Sequence, residues 1–393
     1  MAINVNVRVA RAVPQVNTEG LTLVIFKNAR KSASVTDTIV EVNTLDSLYE
    51  NFDSTANTTL VQQKELYIAE YLIRAGVNLL CYSTDVAGTI DADDIAAFDD
   101  IEVLDYKMVV VPYDFISAAN PESLLLAFAK NNDIQLFMDL DPESDSSTVA
   151  ATITALGTNV SAKLELFTNS GLASFGSGYA LVPAEFDVDK DFFGIPASAV
   201  AVARKAMLLK DGTPWLPVAG ETYGMVNEFY SLFTRLSTAE KEAFQAANIN
   251  VLLTKAGVGN LFVSQNTLCP YEVGEESNPL IRSHVVTEAL YIKRLLKRVA
   301  EGLMYAPNNI KTWNTFSLKA KALFSAMQDQ EGIEDFSVQV GKGITMTEQD
   351  IADGKFKAVV TFLPIRVIED ITFNIVIQEM ADAYQVEIVG GDL

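Results

Sequence analysis

Apolar and polar residues alternate one by one in INVNVRV (residues 3–9): Ile3, Val5, Val7 and Val9 stand between Asn4, Asn6 and Arg8. A period of two predicts a β-strand with one apolar face. The pattern returns in YQVEIV (384–389), where Tyr384, Val386 and Ile388 alternate with Gln385 and Glu387. Between these ends the pattern changes. LTLVIF (21–26), VNLLCYS (77–83), YKMVVVP (106–112), IQLFMDL (134–140) and AKLELFT (162–168) are nearly continuous apolar runs, and YALVPAEF (179–186) reads as one more strand. Helical spacing fills the gaps at 62–75, 121–132 and 147–158. Apolar strands separated by helices predict a parallel sheet covered on both faces, an α/β domain over 27–275. Helices are also expected at 197–209 and 226–248, the second divided near Ser237-Thr238.

The last third reads as α+β. Val285, Ala289, Ile292, Leu296, Val299 and Leu303 recur at alternating steps of four and three, which makes one apolar stripe on a helix over 282–303. Lys293, Arg294, Lys297 and Arg298 are expected on its other side. A second helix at 314–328 buries Phe316, Ala320, Leu323 and Met327, and strands follow at 336–340, 356–367 and 371–378. Each terminal alternating strand either pairs with an internal strand of its own chain or adds to the sheet of a neighbouring subunit.

Composition narrows the function classes. With 393 residues, 49% hydrophobic and 20% charged, the chain has the makings of two or three folded domains. No stretch reads as a membrane span, and no apolar leader segment is visible at the start. Cys81 and Cys269 do not make a disulfide framework, so reduced thiols are expected. A net charge of −22 argues against general nucleic-acid binding. The charge is uneven, however: residues 282–325 hold 8 Lys/Arg against 2 Asp/Glu. A basic island in an acidic chain suggests a particular acidic partner.

Catalytic chemistry finds little support. His284 is the single histidine, so any Ser-His-Asp triad would have to use it, and no G-x-S-x-G elbow is present. One histidine and two distant cysteines do not suit a zinc site. GKGIT (341–345) and AGVGN (256–260) fall short of phosphate-binding and dinucleotide-binding loops. The acidic runs DADD (91–94) and DLDPESD (139–145) could hold a hard cation. The second follows a parallel strand, where α/β ligands bind, so Asp139 and Asp141 define the alternative of a metal-dependent enzyme. A surface or assembly protein without catalytic chemistry is a further alternative. No cofactor is expected.

Several stretches, taken in order, resemble contractile tail sheath proteins of myophages and bacteriocin-like particles. They are GIPASAVAVARKA (194–206), GTPWLPVAG (212–220), AANINVLLTKAGVGNLFVSQNTL (246–268), YAPNNIKTWNTFSLKAKALF (305–324) and DGKFKAVVTFLPIRVIEDITFNIVI (353–377). Pro307, Asn308, Trp313 and Pro364 stand at the resembling motif positions. Ser264-Gln265-Asn266-Thr267 departs from the Gly-Ala-Arg-Thr of many members. The resemblance implies a subtilisin-like α/β outer domain (27–275) without catalytic residues and a C-terminal α+β inner domain (276–382). It also implies an N-terminal arm and strand (1–26), the strand joining the inner domain, and a C-terminal arm (383–393). Its implied partners are further copies in a helical sheath of stacked rings, an inner tube, and baseplate and tail-terminator proteins, with no direct nucleic acid or membrane insertion. The implied location is a virion tail or contractile particle assembled in a bacterial host cytoplasm. On this reading Lys293, Arg294, Lys297 and Arg298 face the tube, with Lys311, Lys319 and Lys321 as second choices.

Overall fold

A computed structural model describes residues 20–35, 39–53, 56–84, 88–99, 106–120, 122–132, 134–141, 145–168, 171–173, 194–226, 229–232, 236–269, 278–368, 373–378 and 383–388. Its first half alternates strands and helices: β1 (Thr22–Phe26), β2 (Ile39–Val42), α1 (Leu45–Asn51), α2 (Leu60–Arg74), β3 (Leu79–Ser83), α3 (Ala92–Asp99), β4 (Met108–Ile116), α4 (Ser123–Asn131), β5 (Gln135–Leu140), α5 (Ser146–Leu156) and β6 (Leu164–Thr168). There follow β7 (Gly171–Ala173), β8 (Gly194–Ile195), α6 (Ala197–Lys210), α7 (Gly220–Tyr223), β9 (Met225–Val226), β10 (Phe229–Leu232), α8 (Thr238–Ala246), β11 (Asn250–Lys255) and β12 (Gly259–Phe262).

The main sheet runs in the order β2-β3-β1-β4-β5-β6-β11-β12-β9. From β3 to β11 every pairing is parallel, and antiparallel strands close both edges. The parallel core follows from the strands' composition: β1, β3, β5 and β6 are buried along their whole length, so helices must cover both faces. One face carries Val24, Phe26, Cys81, Phe137 and Phe167 against α2 and α6. The other carries Leu23, Ile25, Leu136, Met138 and Leu166, packed with residues of α4, α5 and α8. Local signals set the helix starts. Thr59 and Ser237 close capping boxes with Gln62 and Glu240, and Asp145 accepts from Ser147 and Thr148 at the start of α5.

Two expectations are corrected. The 21–26 strand does not join the C-terminal domain: β1 lies inside the α/β sheet, between β3 and β4. A strand buried on both faces needs two hydrogen-bonded neighbours, and these are the neighbours it has. The described residues of 226–236 are not helical. They contribute β9 and β10, and only the part restarted by Ser237 is a helix. Val226, Phe229 and Leu232 are apolar at spacing three, which suits either structure, and pairing with β12 and β7 decides for strands. The strand expected at 179–186 lies outside the described residues.

The remainder comprises α9 (Ser283–Glu301), α10 (Ile310–Asp329), β13 (Ile333–Val340), α11 (Glu348–Ala352), β14 (Ala358–Pro364), β15 (Phe373–Gln378) and β16 (Ala383–Ile388). β13 and β14 pair as an antiparallel ribbon, and so do β15 and β16, each a sheet of its own. Ile292, Phe324, Met327 and Ile333 form a small core with Trp215, which reaches in from the loop after α6. Phe324 stacks on Phe336, with ring centroids 5.2 Å apart.

Candidate interaction surfaces

The position where α/β enzymes place their chemistry is occupied here by internal cross-links. At the C-terminal end of β5, Asp139 accepts from the backbone N–H of Ser198 (3.1 Å) and from its hydroxyl. It thereby caps the start of α6. Burial pushes its carboxyl up to about 6, against the pull of the Ser198 bonds. Just beyond β1, Lys27 bridges Asp114 of β4 and Glu122 at 2.8 Å each. Glu65 accepts from the backbone N–H groups of Asn28 and Ala29 and from the Asn28 amide. Asp91 and Asp94 are likewise engaged: Asp91 accepts from the Asp93 and Asp94 N–H groups, and Asp94 from the Tyr82 hydroxyl. No group of three metal-ligating side chains occurs among the described residues. GKGIT forms a tight turn in which Lys342 pairs with Glu348.

His284 is buried near the start of α9, and desolvation, with the nearby Lys205 and Arg282 charges, lowers its pKa to about 4. It is therefore neutral, and it does not meet Asp139. Its neighbourhood is a buried polar cluster that the sequence did not reveal. Lys205 of α6 pairs with Glu165 of β6 at 2.8 Å, and Ser283 hydrogen-bonds both. Thr287 donates to Gln135 (3.0 Å), which donates to Glu165 (3.3 Å). One turn further along α9, Glu288 is fully buried, and neither carboxylate oxygen has a hydrogen-bond partner among the described residues. Burial raises its pKa to about 8. The first half of α9 is thus tied to the foot of the main sheet, while Ile292 enters the C-terminal core. A lysine in a helix with apolar neighbours gives no sequence sign that a glutamate 40 residues earlier awaits it.

The basic residues divide. Lys293, Lys297 and Arg298 are exposed on α9, but Arg294 is 9% exposed and lies over the Tyr291 ring, 5.8 Å from its centroid. The expectation of four basic residues on one open face is corrected to three, because Arg294 falls on the helix side of Ser283 and Thr287, which faces the sheet. Lys311, Lys319 and Lys321 are exposed on α10. The Pro-Asn-Trp motif is a brace: the Trp313 indole donates to Asn308 Oδ1 (2.7 Å), Asn308 donates to the Lys355 carbonyl (3.0 Å), and Thr312 donates to the Pro307 carbonyl (2.7 Å). Pro364 ends β14 opposite Ile333.

Ile3, Val5, Val7 and Val9 lie outside the described residues. Tyr384, Val386 and Ile388 belong to β16, opposite Ile377, Ile375 and Phe373 of β15. No third strand joins this ribbon among the described residues.

No protein-family model and no curated protein sequence matches the chain. Solved structures do. A chain of the anti-feeding prophage baseplate, six-fold symmetrised, aligns with TM-score 0.72 and 18% identity over 97% of this chain and 98% of its own. A chain of the anti-feeding prophage helical sheath in its contracted state aligns with TM-score 0.68 and 17% identity over 93% and 94%. A chain of the contracted sheath complex of an extracellular contractile injection system, PVC, gives 0.66 and 16% over 97% and 99%. This is the fold of contractile sheath proteins. The sheath fold accounts for the order of the elements from β1 to β16, since the alignments run nearly end to end.

Proposed function

We propose that this chain is the structural subunit of a contractile sheath, which polymerises helically around an inner tube and contracts to drive that tube through a target envelope. The observation that carries the reading is the near end-to-end match to sheath chains in the contracted state. The particle's baseplate and tube are the expected partners, and a tail or contractile particle is the expected location. The α/β body is the outer, subtilisin-like domain without catalytic residues, and α9 to β14 form the inner one. No observation favours the metal-dependent enzyme, because Asp139 is already spent on α6.

The inter-subunit joints are strand additions. A two-stranded ribbon is marginal in water by itself. β15–β16 is such a ribbon, and its outer edges are unpaired among the described residues. The alternating segment Ile3–Val9 of a neighbouring copy supplies the missing strand, contributing about 0.5–1.5 kcal/mol per main-chain hydrogen bond. A head-to-tail contact of this kind propagates into rings and helices.

Contraction is then a rearrangement between subunits. Within one subunit, Trp215 and the Lys205–Glu165–Ser283 cluster fasten the two domains, so each copy moves as a rigid body. No nucleotide is needed if the extended lattice is metastable and the contracted one buries more surface. Lys293, Lys297 and Arg298 face the tube. Exposed ion pairs contribute only about 0–1 kcal/mol each, which suits a contact that must hold and then release. Electron microscopy of the purified protein, alone and with inner tubes, tests the reading. Hollow helical cylinders support it, and dispersed monomers under both conditions overturn it.

A further inference from the structure

The start of α9 opens onto a cavity of about 630 Å³, within the size range of small-molecule sites. Three parts of the chain surround it: the end of α8 with the turn after it, the stretch from Asn278 to Val285, and residues 363–367 at and beyond the end of β14. No side chain caps α9, and the main-chain N–H groups of His284 and Val285 meet no acceptor among the described residues. A 19-residue helix therefore presents its positive end to the cavity. A second observation is independent of the helix end. The His284 side chain lines the cavity, is only 3% exposed, and makes no hydrogen bond among the described residues. Burial, with the Lys205 and Arg282 charges, keeps it neutral, so one ring nitrogen can donate and the other accept. A buried polar side chain without a partner is costly, and a ligand that supplies the partner removes that cost.

The lining chooses the ligand. Arg282, whose guanidinium donates to Asn266 Oδ1 (2.7 Å), and the exposed Arg366 come from two different parts of the chain. No Asp or Glu lines the cavity among the described residues, in a chain of net charge −22. Ile281, Val285, Leu363 and Ile365 add an apolar wall. A positive helix end and two planar guanidinium groups select a carboxylate, and the apolar wall selects a hydrocarbon body attached to it. We propose that this cavity binds a small organic carboxylate, its charged end held by the start of α9, Arg282 and Arg366, and its apolar body laid against Ile281, Val285 and Leu363. The site goes beyond the sheath reading and does not depend on it. A ligand seated there ties the end of β14 to the α/β body, so it should raise the unfolding temperature.

The test uses the full chain carrying isotope-labelled histidine. His284 is the single histidine, so its imidazole signal in magnetic resonance needs no assignment and can be read from dispersed or assembled protein. Three probes are compared: acetyl-leucine, a carboxylate on an apolar body; its amide, the same body without the charge; and inorganic phosphate, an oxyanion without the body. Acetyl-leucine should move the imidazole signal saturably at neutral pH and raise the unfolding temperature, phosphate should do so only at much higher concentration, and the amide should do neither. Ala246→Phe, at the exposed end of α8, should block the cavity, and Arg366→Gln should weaken binding about tenfold. Both changes are at exposed positions, so both variants should unfold at the wild-type temperature without ligand. An imidazole signal that acetyl-leucine leaves in place overturns the site. Equal binding of the amide overturns the carboxylate, equal binding of phosphate overturns the apolar body, and binding unchanged in both variants overturns the location.

Discussion

Gly332 leaves room for the face of Trp215: a Cβ added there would stand 2.6 Å from the indole Cδ2 and 2.7 Å from Cε3. Trp215 comes from the loop after α6 and Gly332 from the turn between α10 and β13, so this contact is where the α/β body meets the C-terminal domain. The indole cannot retreat, because Ile292, Phe324 and Met327 close the same small core. Gly332→Ala should destabilise the protein by about 1–3 kcal/mol, the usual cost of overpacking. Urea unfolding checks this; a stability equal to wild type would mean that the two domains are not fastened here.

Glu288 makes stability depend on pH. Its carboxyl is raised from the ordinary 4.5 to about 8 by burial. Between those values the unfolded chain has released the proton and the folded chain keeps it, so folding stability falls as pH rises from about 4.5 to about 8. Glu288→Gln removes that slope. The variant should match wild type near pH 4.5 and exceed it at pH 8 by an amount on the order of a few kcal/mol. Thermal unfolding across this range checks the sign. Parallel pH profiles for the two proteins would contradict the account.

The basic residues of α9 should separate by burial. Charge reversal of Lys293, Lys297 and Arg298 together should leave folding and tube-free cylinders intact and abolish binding to tubes. Arg294→Glu should instead destabilise the subunit, since it puts an unpaired negative charge at a buried position. Circular dichroism melts and tube co-sedimentation distinguish the two effects.

Asp139 should behave as a cap and not as a ligand. Asp139→Ala removes both acceptors from Ser198 and should cost about 0.5–2 kcal/mol. Adding Mg²⁺ or Ca²⁺ to wild type should leave its unfolding temperature unchanged. A cation-dependent rise that Asp139→Ala eliminates would restore the metal reading.

Much of the architecture was legible because it rests on local signals. Continuous apolar strands such as Met108–Val111 announce burial on both faces, and the stripe from Val285 to Val299 announces a helix that rests on a core. What was hidden depends on pairing over distance. The α/β character of Leu21–Phe26 is set by neighbours almost sixty and ninety residues away. The strands at 225–226 and 229–232 share their apolar spacing with a helix. Arg294 and Lys205 look like surface cations in a sequence, and only the approach of α9 to the sheet buries them. The Pro-Asn-Trp stretch was visible as a motif, but its role as a brace between the α9–α10 turn and Lys355 required coordinates.

The central claim, that copies of this chain join by strand exchange into a sheath, is tested most directly by imaging. Full-length protein and a variant lacking residues 1–13 would be purified and examined side by side by negative-stain electron microscopy with inner tubes present. Cylinders from the full-length chain and none from the truncated one are the predicted result. Equal cylinders from both would show that the N-terminal segment is not the joint, and dispersed monomers from both would contradict the sheath itself.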